Sequence, residues 1–247
     1  MAISMIIIIL GVTLFASVVT LLAGFGLGTI LTPVFIFFYD IKVAVLLVAV
    51  VHFFNNLLRL ILFREHVDLK IVKKFGVLSI CGAFLGAYLQ QYLFSEILTV
   101  LLGLLLIFLG VIEFLPGKGE FKLPPQIDFV GSIASGFLGG LLGNQGALRS
   151  LYLLNYDLKK EQLVATAALI AVVIDATRIP IYLYSYSNIL RNYGVILFVV
   201  VTVAYIGTLI GKQLLERLSL AQFKRTIAGL VIVMGVFLLI RYGVKFI

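Results

Sequence analysis

The stretch AGFGLGTILTP, residues 23–33, places three glycines and a proline inside an apolar run that extends over residues 1–39. A second glycine-rich stretch, GGLLGNQG at 139–146, interrupts another apolar run at 128–154. Backbone that leaves the helical conformation at membrane depth is tolerated only where protein or a water-filled cavity satisfies it. Both interruptions are therefore expected to line a cavity.

Each interruption is also expected to begin a half-helix, near Thr29 in the first run and near Ala147 in the second. The free N–H groups and the positive dipole end of such a half-helix favour an anion at the midplane. A packing role, in which glycines only let helices approach closely, is the alternative. The glycines concerned are Gly24, Gly26, Gly28, Gly139, Gly140, Gly143 and Gly146.

Composition places the chain in a membrane. Apolar residues make up 62% of 247, charged residues 12%, and the mean hydropathy is +1.20, whereas soluble domains are about half apolar and a quarter charged. Apolar stretches of about 20 residues indicate helices rather than the strands of a barrel. The net charge of +8 is explained by loop lysines and arginines facing the cytoplasm, so nucleic acid is not implied.

Eight apolar segments are separated by short polar connections. The single cysteine, Cys81, excludes disulfides and cysteine-ligated metals within this chain, and we expect it to be buried as a small apolar residue. No serine, zinc or paired-carboxylate motif is present, so we predict no enzyme, no metal and no cofactor. The segments lie at 1–39, 42–63, 75–93, 97–115, 128–154, 162–186, 193–214 and 224–243.

The chain also reads as two similar halves. FFYDIK at 37–42 matches LNYDLK at 154–159, and GAFLGAYLQQYL at 82–93 matches GTLIGKQLLERL at 207–218. Self-similarity of this kind indicates a duplication. The predicted organisation is a first membrane repeat at 1–115, a linker loop at 116–127 and a second membrane repeat at 128–247.

Lysine and arginine favour an inverted relation between the halves. If both glycine-broken segments enter and leave on one side, twelve basic loop residues collect on one side of the membrane and four on the other. If all eight segments cross once, the split is nine to seven. The positive-inside rule favours the first arrangement. The 23 residues before the first glycines are enough to cross alone, which keeps a parallel eight-span model open.

Polar side chains cluster within the spans. Four of them share one face of the second segment at i, i+3, i+4 and i+7, namely His52, Asn55, Asn56 and Arg59. In the matching helix of the second half, Asp175 and Arg178 take the places of the last two. Charged residues at this depth are functional candidates, and arginine forks suit oxyanions.

A third arginine lies at the second glycine break. Arg149 follows Gly146 by three residues, with Asn144 and Gln145 just before it. Three arginines against one aspartate predict a positively charged cavity. The candidate substrate-binding residues are Gly26, Gly28, Thr29, Asn55, Asn56, Arg59, Asn144, Gln145, Gly146, Arg149, Asp175 and Arg178, and the candidate proton-coupling residues are His52 and Asp175.

Structural roles for these polar residues stay open at this point. The side chain of Arg59 is close enough to the end of its span to snorkel to the interface. Asp175 and Arg178 at i+3 can serve only to hold helices together. His52 can be a buried histidine with a purely structural hydrogen bond.

At these residues the chain resembles a known family. The segment GFGLGTILTP, the matching GGLLGNQG and about eight apolar segments resemble the TauE/SafE family of sulfite and sulfonate exporters, also called the toluene-sulfonate uptake permease family. In the second half, Ser150 stands where the first half has Pro33. The resemblance carries over to Gly24, Gly26, Gly28, Pro33, Gly140, Gly143 and Gly146.

The resemblance implies transport of small sulfur oxyanions, such as sulfite, sulfoacetate or related sulfonates, across the cytoplasmic (inner) membrane. Combined with the residues, it predicts an all-α polytopic protein that works as a secondary transporter by alternating access, with proton coupling as an option. An anion channel and a non-transporting assembly protein are the alternatives. The expected partners are a small anionic substrate and the lipid bilayer, with a homodimer as an option and no nucleic acid.

Overall fold

The computed structural model describes residues 3–23, 26–115, 128–153, 156, 158–186, 188–214 and 220–243, and over these the chain is helical. Seven continuous helical stretches among the described residues are long and apolar enough to span a membrane, one of them the stretch Leu69–Gln90, and two shorter apolar helices accompany them. The expected all-α, multi-pass architecture is therefore confirmed. Gly24 and the linker at 116–127 lie outside the described residues.

The described helices follow the eight predicted segments, and the segments at 1–39 and 128–154 each contain two helices. The bounds are α1 Ile3–Ala23, α2 Leu27–Ile36, α3 Ile41–Phe63, α4 Leu69–Ile71, α5 Val77–Gln90, α6 Ser95–Phe114, α7 Asp128–Leu142, α8 Gly146–Leu153, α9 Lys160–Ser185, α10 Asn188–Leu214 and α11 Leu220–Gly243. A 3-10 turn, Arg64–His66, follows α3, and a π-helical turn, Val72–Gly76, joins α4 to α5.

Local chemistry explains several of these bounds. Asp40 precedes α3 and accepts a hydrogen bond from the Lys42 amide at 2.9 Å, and Asp68 does the same for the first amides of α4. These carboxylates satisfy N–H groups that have no partner within the helix. Gly143, between α7 and α8, has a φ of +73°, a conformation that only glycine adopts readily. The chain reverses at that point.

Helices pair across the two predicted halves. α5 packs against α7 and α1 against α10, while α3 packs against α9 and α6 against α11. Glycines make the first two contacts close. Added Cβ atoms at Gly82 and Gly86 of α5 would overlap the backbone of α7, and one at Gly207 of α10 would lie 2.7 Å from the Leu14 carbonyl oxygen of α1. Small residues serve the same purpose in many membrane helix pairs.

The pair α7 and α8 begins and ends at the same end of the bundle. The Tyr156 hydroxyl, just beyond α8, donates to the Asp128 carboxylate at the start of α7. One turn further along, the Tyr152 ring lies against Gly131 so closely that a Cβ atom there would overlap it. The two helices therefore form a hairpin whose open side is the Asp128 end of the bundle.

The second helix of the first hairpin, α2, ends where α1 begins. α1 and α10 run parallel, because Gly207 faces Leu14 and Gly211 faces Val18. Tyr193, near the start of α10, is therefore level with the start of α1, and its ring meets that of Tyr39, just after α2, at 5.2 Å between centroids. We refer to this as the Tyr39 end of the bundle. α1 is about 31 Å long and α2 about 15 Å, so α1 is long enough to cross on its own.

One expectation about side-chain position is wrong. Cys81 is exposed on the outer surface of α5 rather than buried. The face of α5 that packs against α7 is made by the neighbouring Gly82 and Gly86, so the thiol points away from that contact. Apolar sequence context does not distinguish a lipid-facing position from a buried one, because both environments are apolar.

Candidate functional site

The two glycine breaks cross each other inside the bundle. A Cβ atom added at Gly26 would lie 2.7 Å from the Gly146 Cα, and one at Gly28 would overlap the Gly143 carbonyl oxygen. Both positions are buried. Only glycine lets these two backbones approach so closely. The breaks, which are over a hundred residues apart in the chain, thus form one structural unit that we call the crossing.

The helices after the breaks begin slightly earlier than expected. α2 begins at Leu27, and α8 begins at Gly146. The Thr29 hydroxyl donates to the Asn144 side-chain oxygen at 2.9 Å, which ties the first break to the second. Both helix N-termini consequently lie at the crossing, with their amide ends pointing toward it.

A buried carboxylate organises the side chains on one side of the crossing. Asp175, in α9, is fully buried, and its Oδ2 lies 2.6 Å from His52 Nδ1 of α3. Its Oδ1 accepts from Arg178 Nε at 2.8 Å and from Gln145 Nε2 at 3.1 Å. All of the carboxylate's strong partners are therefore protein groups from three different parts of the fold. Such a fully bonded ion pair tolerates burial.

Gln145 connects this network to Arg149. Its side-chain oxygen accepts from Arg149 Nη1 at 3.3 Å, while its backbone carbonyl accepts from the Ser135 hydroxyl at 3.2 Å. Arg149 is 4% exposed, in the first turn of α8. A chain of hydrogen bonds thus runs from His52 through Asp175 and Gln145 to a guanidinium beside the crossing.

Arg178 and Tyr182 hold the end of α7. The Arg178 Nη1 group donates to the Gly139 carbonyl oxygen, and the Tyr182 hydroxyl donates to the Gly140 carbonyl oxygen. Helix C-termini leave carbonyl groups without partners inside the helix. The Gly139 carbonyl also accepts from the Gly143 amide at 3.0 Å, so Arg178 adds a second hydrogen bond there. Gly140 also packs closely against Ala83 of α5, so it has a packing role.

Arg59 lies in a second polar cluster, between α3, α1 and α10. Its Nη2 group donates to the Thr20 hydroxyl at 2.9 Å. The hydrogen-bond network orients the Asn55 amide so that its oxygen accepts from Arg59 Nη2 at 3.2 Å and its nitrogen donates to the Thr208 hydroxyl at 2.7 Å. The guanidinium is therefore held inside the bundle, with Arg59 only 7% exposed, and does not snorkel to the interface.

The remaining candidate, Asn56, is bonded within its own helix. Its amide nitrogen donates to the His52 carbonyl oxygen at 2.8 Å. Among the predicted residues, the structure brings Gly26, Gly28, Thr29 and residues 144–146 together at the crossing, and joins Arg149, Asp175, Arg178 and His52 to them through hydrogen bonds. Asn55 and Arg59 form the separate cluster.

Several buried polar atoms near these clusters have no hydrogen-bond partner. Among the described residues they include Asn144 Nδ2, Arg149 Nε, Thr32 Oγ1 and Ser17 Oγ. A buried donor without a partner costs about 1–3 kcal/mol, more for a charged one. Three of the four lie at or within one turn of the crossing, where they present N–H and O–H donors suited to an anion.

Apart from Thr29, sequence patterns did not single out the hydroxyl groups in these clusters. Thr32, Ser17, Thr20 and Thr208 are all buried. Serine and threonine within apolar helices commonly bond their own helix, as Thr13 does with the Ile9 carbonyl oxygen. The sequence did contain one signal for Thr32: it follows Thr29 by three residues, which puts both hydroxyl groups on one face of α2.

Metal binding finds no support in the part of the chain that the structure describes. It contains no group of three or more histidine, cysteine, aspartate or glutamate side chains able to hold a metal ion. The donors at the crossing are amide, guanidinium and hydroxyl groups, which bind anions rather than metals.

Comparison with known proteins gives one family. Residues 9–238 match the family model described as sulfite exporter TauE/SafE. The match covers both glycine breaks and every residue of the two polar clusters. No curated protein and no solved structure gives a match.

Proposed function

Because the chain belongs to the sulfite exporter TauE/SafE family, we propose that it is a secondary transporter of small sulfur oxyanions that binds its substrate at the crossing. The family is one of membrane transporters, and the seven apolar helices make this chain a multi-pass membrane protein. Sulfite, sulfoacetate and related sulfonates are the substrates that fit this proposal. The membrane concerned is the cytoplasmic membrane.

The observation that carries the proposal is the set of unpaired donors at the crossing. Asn144 Nδ2 and Arg149 Nε are buried and unbonded, and Thr32 Oγ1 is as well. An oxyanion accepts several hydrogen bonds at once, and charge-assisted bonds from a guanidinium are about twice as strong as neutral ones. Two helix N-termini directed at the same place add to the attraction.

The arrangement of helices supports alternating access by two inverted repeats, 1–115 and 128–247. The contact between α5 and α7 has its counterpart in that between α10 and α1, as expected if α5 corresponds to α10 and α7 to α1. The α6–α11 and α3–α9 contacts then join corresponding helices. A site at the interface of such repeats opens to either side when one moves against the other.

The hydrogen-bond chain from His52 to Arg149 supports proton coupling. A proton taken up by the His52–Asp175 pair would weaken the hold of Asp175 on Gln145. Gln145 bonds directly to Arg149, so this change would reach the substrate donors. The homodimer considered from the sequence stays a prediction.

Uptake into proteoliposomes tests the proposed function. The wild-type protein should take up sulfite with saturation, and Arg149→Gln should reduce the initial rate at least tenfold, because it removes a charged donor from the crossing. Arg191→Gln, which removes an exposed arginine near the Tyr39 end, is the matched control and should leave the rate unchanged.

Two results would contradict this function. Uptake that rises linearly with sulfite concentration would indicate a channel. Flux no greater than that of empty vesicles, from protein that is folded and inserted, would indicate a non-transporting protein.

A further inference from the structure

We infer that the substrate site is built for a doubly charged oxyanion held between Arg59 and Arg149. The inference rests on the proposed transport function and concerns the charge of its substrate.

Three buried arginines face a single carboxylate in the interior of the bundle. Arg59, Arg149 and Arg178 are 7%, 4% and 0% exposed, and Asp175 is the carboxylate. Asp128, the other buried acid among the described residues, lies at one end of the bundle and is paired with Lys74 at 2.7 Å. With His52 neutral, two positive charges are left without an opposite charge.

The unbalanced charges belong to Arg59 and Arg149. Arg178 contacts the Asp175 Oδ1 through two of its nitrogens, Nε at 2.8 Å and Nη2 at 2.7 Å. No carboxylate among the described residues lies within ion-pair distance of the other two guanidinium groups. Their hydrogen bonds go to neutral groups, since Arg149 bonds Gln145 and Arg59 bonds the Thr20 hydroxyl.

Arg59, near the end of α3, and Arg149, in the first turn of α8, both lie on the Asp128 side of the crossing, because both helices run toward that end. One extends from α3 in the first half and the other from α8 in the second. Each of them has an unpaired donor nearby. For Arg149 it is the arginine's own Nε, and for Arg59 it is the hydroxyl of Ser17, a residue whose backbone carbonyl already accepts from Arg59. Removing an ion from water without an opposite charge is expensive.

A dianion would balance the buried charges of Arg59 and Arg149 together, and so remove the cost of burying each without an opposite charge. A monoanion would balance only one of the two charges and leave the other buried and unpaired. The site should therefore discriminate by charge between anions of the same shape. Sulfate and methanesulfonate provide this comparison, because both are tetrahedral sulfur oxyanions and differ by one oxygen anion replaced with a methyl group. Sulfite at mildly alkaline pH is a second dianion.

Binding to the full-length protein in detergent, followed by calorimetry and by thermal shift, is the first measurement. The tighter of the two dianions, sulfite or sulfate, should bind about tenfold or more tightly than methanesulfonate, a factor that corresponds to about 1.4 kcal/mol. Raising the ionic strength should not remove this preference, because buried charges are screened little.

Variants assign the preference to the two arginines. Arg59→Gln and Arg149→Gln should each reduce dianion affinity at least tenfold, reduce methanesulfonate affinity much less, and so remove most of the preference. Arg59→Lys keeps the charge and should retain it. Arg191→Gln is the control and should bind like the wild type.

The melting temperature without anion gives a readout that folding defects cannot imitate. Arg59→Gln removes an unbalanced charge, so the anion-free variant should melt at the same temperature as the wild type or higher. Protection by added sulfite should fall in the same variant.

The outcomes separate this inference from the proposed function. Saturable sulfite uptake together with equal affinity for the dianions and methanesulfonate would overturn the inference and leave the transport function standing. Absence of both binding and uptake for every oxyanion would overturn the two together. A dianion preference that survives in both Gln variants would show that other groups set it.

Discussion

At the scale of single residues, the available partners give similarly buried arginines different roles. Arg178 shares the Asp175 carboxylate with His52 and donates a hydrogen bond to the Gly139 carbonyl near the end of α7. Arg149 keeps one N–H group without a partner beside the crossing. A buried ion pair is not in itself strong evidence for stability, but breaking one leaves an uncompensated charge, at about 3–5 kcal/mol. The paired arginine therefore supports the site, and the unpaired one is available to a substrate.

This difference predicts the behaviour of Arg178→Gln. Its removal should lower the free energy of unfolding by about 3 kcal/mol, the lower part of that range, because Asp175 keeps His52 as a partner. The measurement is the melting temperature of detergent-solubilised protein. Thr177→Val is the control, since the Thr177 hydroxyl bonds only the Val173 carbonyl oxygen of its own helix. Equal melting of the two variants would show that the Asp175 ion pair contributes no stability.

At the scale of secondary-structure elements, the crossing depends on two helical hairpins meeting without side chains between them. α2 and α8 start at this contact, and Gly26 and Gly146 form it. An added methyl group would meet the backbone rather than the flexible end of a side chain, so the hairpins themselves would have to separate. The positions of Asn144 and Arg149 depend on that separation.

We expect Gly146→Ala to damage the site. Its Cβ atom would overlap the Gly26 backbone, which should lower the melting temperature and reduce sulfite uptake at least tenfold. Gly146 does not have a positive φ, so the effect comes from contact and not from backbone strain. Gly229→Ala and Gly194→Ala are matched controls, because a Cβ atom there would meet nothing within 4 Å.

The controls should melt like the wild type or slightly higher, since alanine is favoured over glycine in a helix by up to about 1 kcal/mol. If Gly146→Ala behaved as they do, the close crossing would not be required for transport.

At the scale of the whole molecule, both hairpins return to the end from which they start. Asp128 and Tyr156 mark this for α7 and α8, and Tyr39 and Tyr193 mark the corresponding end for α1 and α2. The hairpins therefore open toward opposite ends of the bundle. Hairpins that open toward opposite ends are what the inverted arrangement of the repeats predicts, and that arrangement stays a prediction.

Cysteine labelling in intact membranes tests this topology. In a Cys81→Ser background, cysteines at the exposed positions Glu65 and Lys159 should react from the same side of the membrane, and one at Arg191 from the opposite side. The hydrogen bond from the Asp68 amide to the Thr166 hydroxyl places the first two positions at one end of the bundle.

In the parallel eight-span model, Glu65 and Arg191 would instead share a side. Labelling of that pair from one side, with Lys159 reacting from the other, would therefore exclude the inverted arrangement. The Cys81→Ser parent should show no labelling, and it serves as the control.

Local patterns were enough to predict the membrane segments and the all-helical architecture. Hydropathy and the i, i+3, i+4 spacing are properties of neighbouring residues, so they can be read without knowing the fold. The same patterns could not tell that Cys81 faces outward or that Asn56 bonds its own helix. Apolar surroundings are alike on the inner and outer faces of a helix in lipid.

Contacts between residues that are distant in sequence were determined by tertiary packing alone. Asp175 acts on Gln145, and Gly26 touches Gly146, only because the halves fold against each other. The sequence left structural roles open for Arg59 and for the Asp175–Arg178 pair and could not decide among them. Which of the arginines retains an unbalanced charge depends on where one carboxylate lies in three dimensions, and Coulomb interactions depend on that distance and on burial rather than on order along the chain.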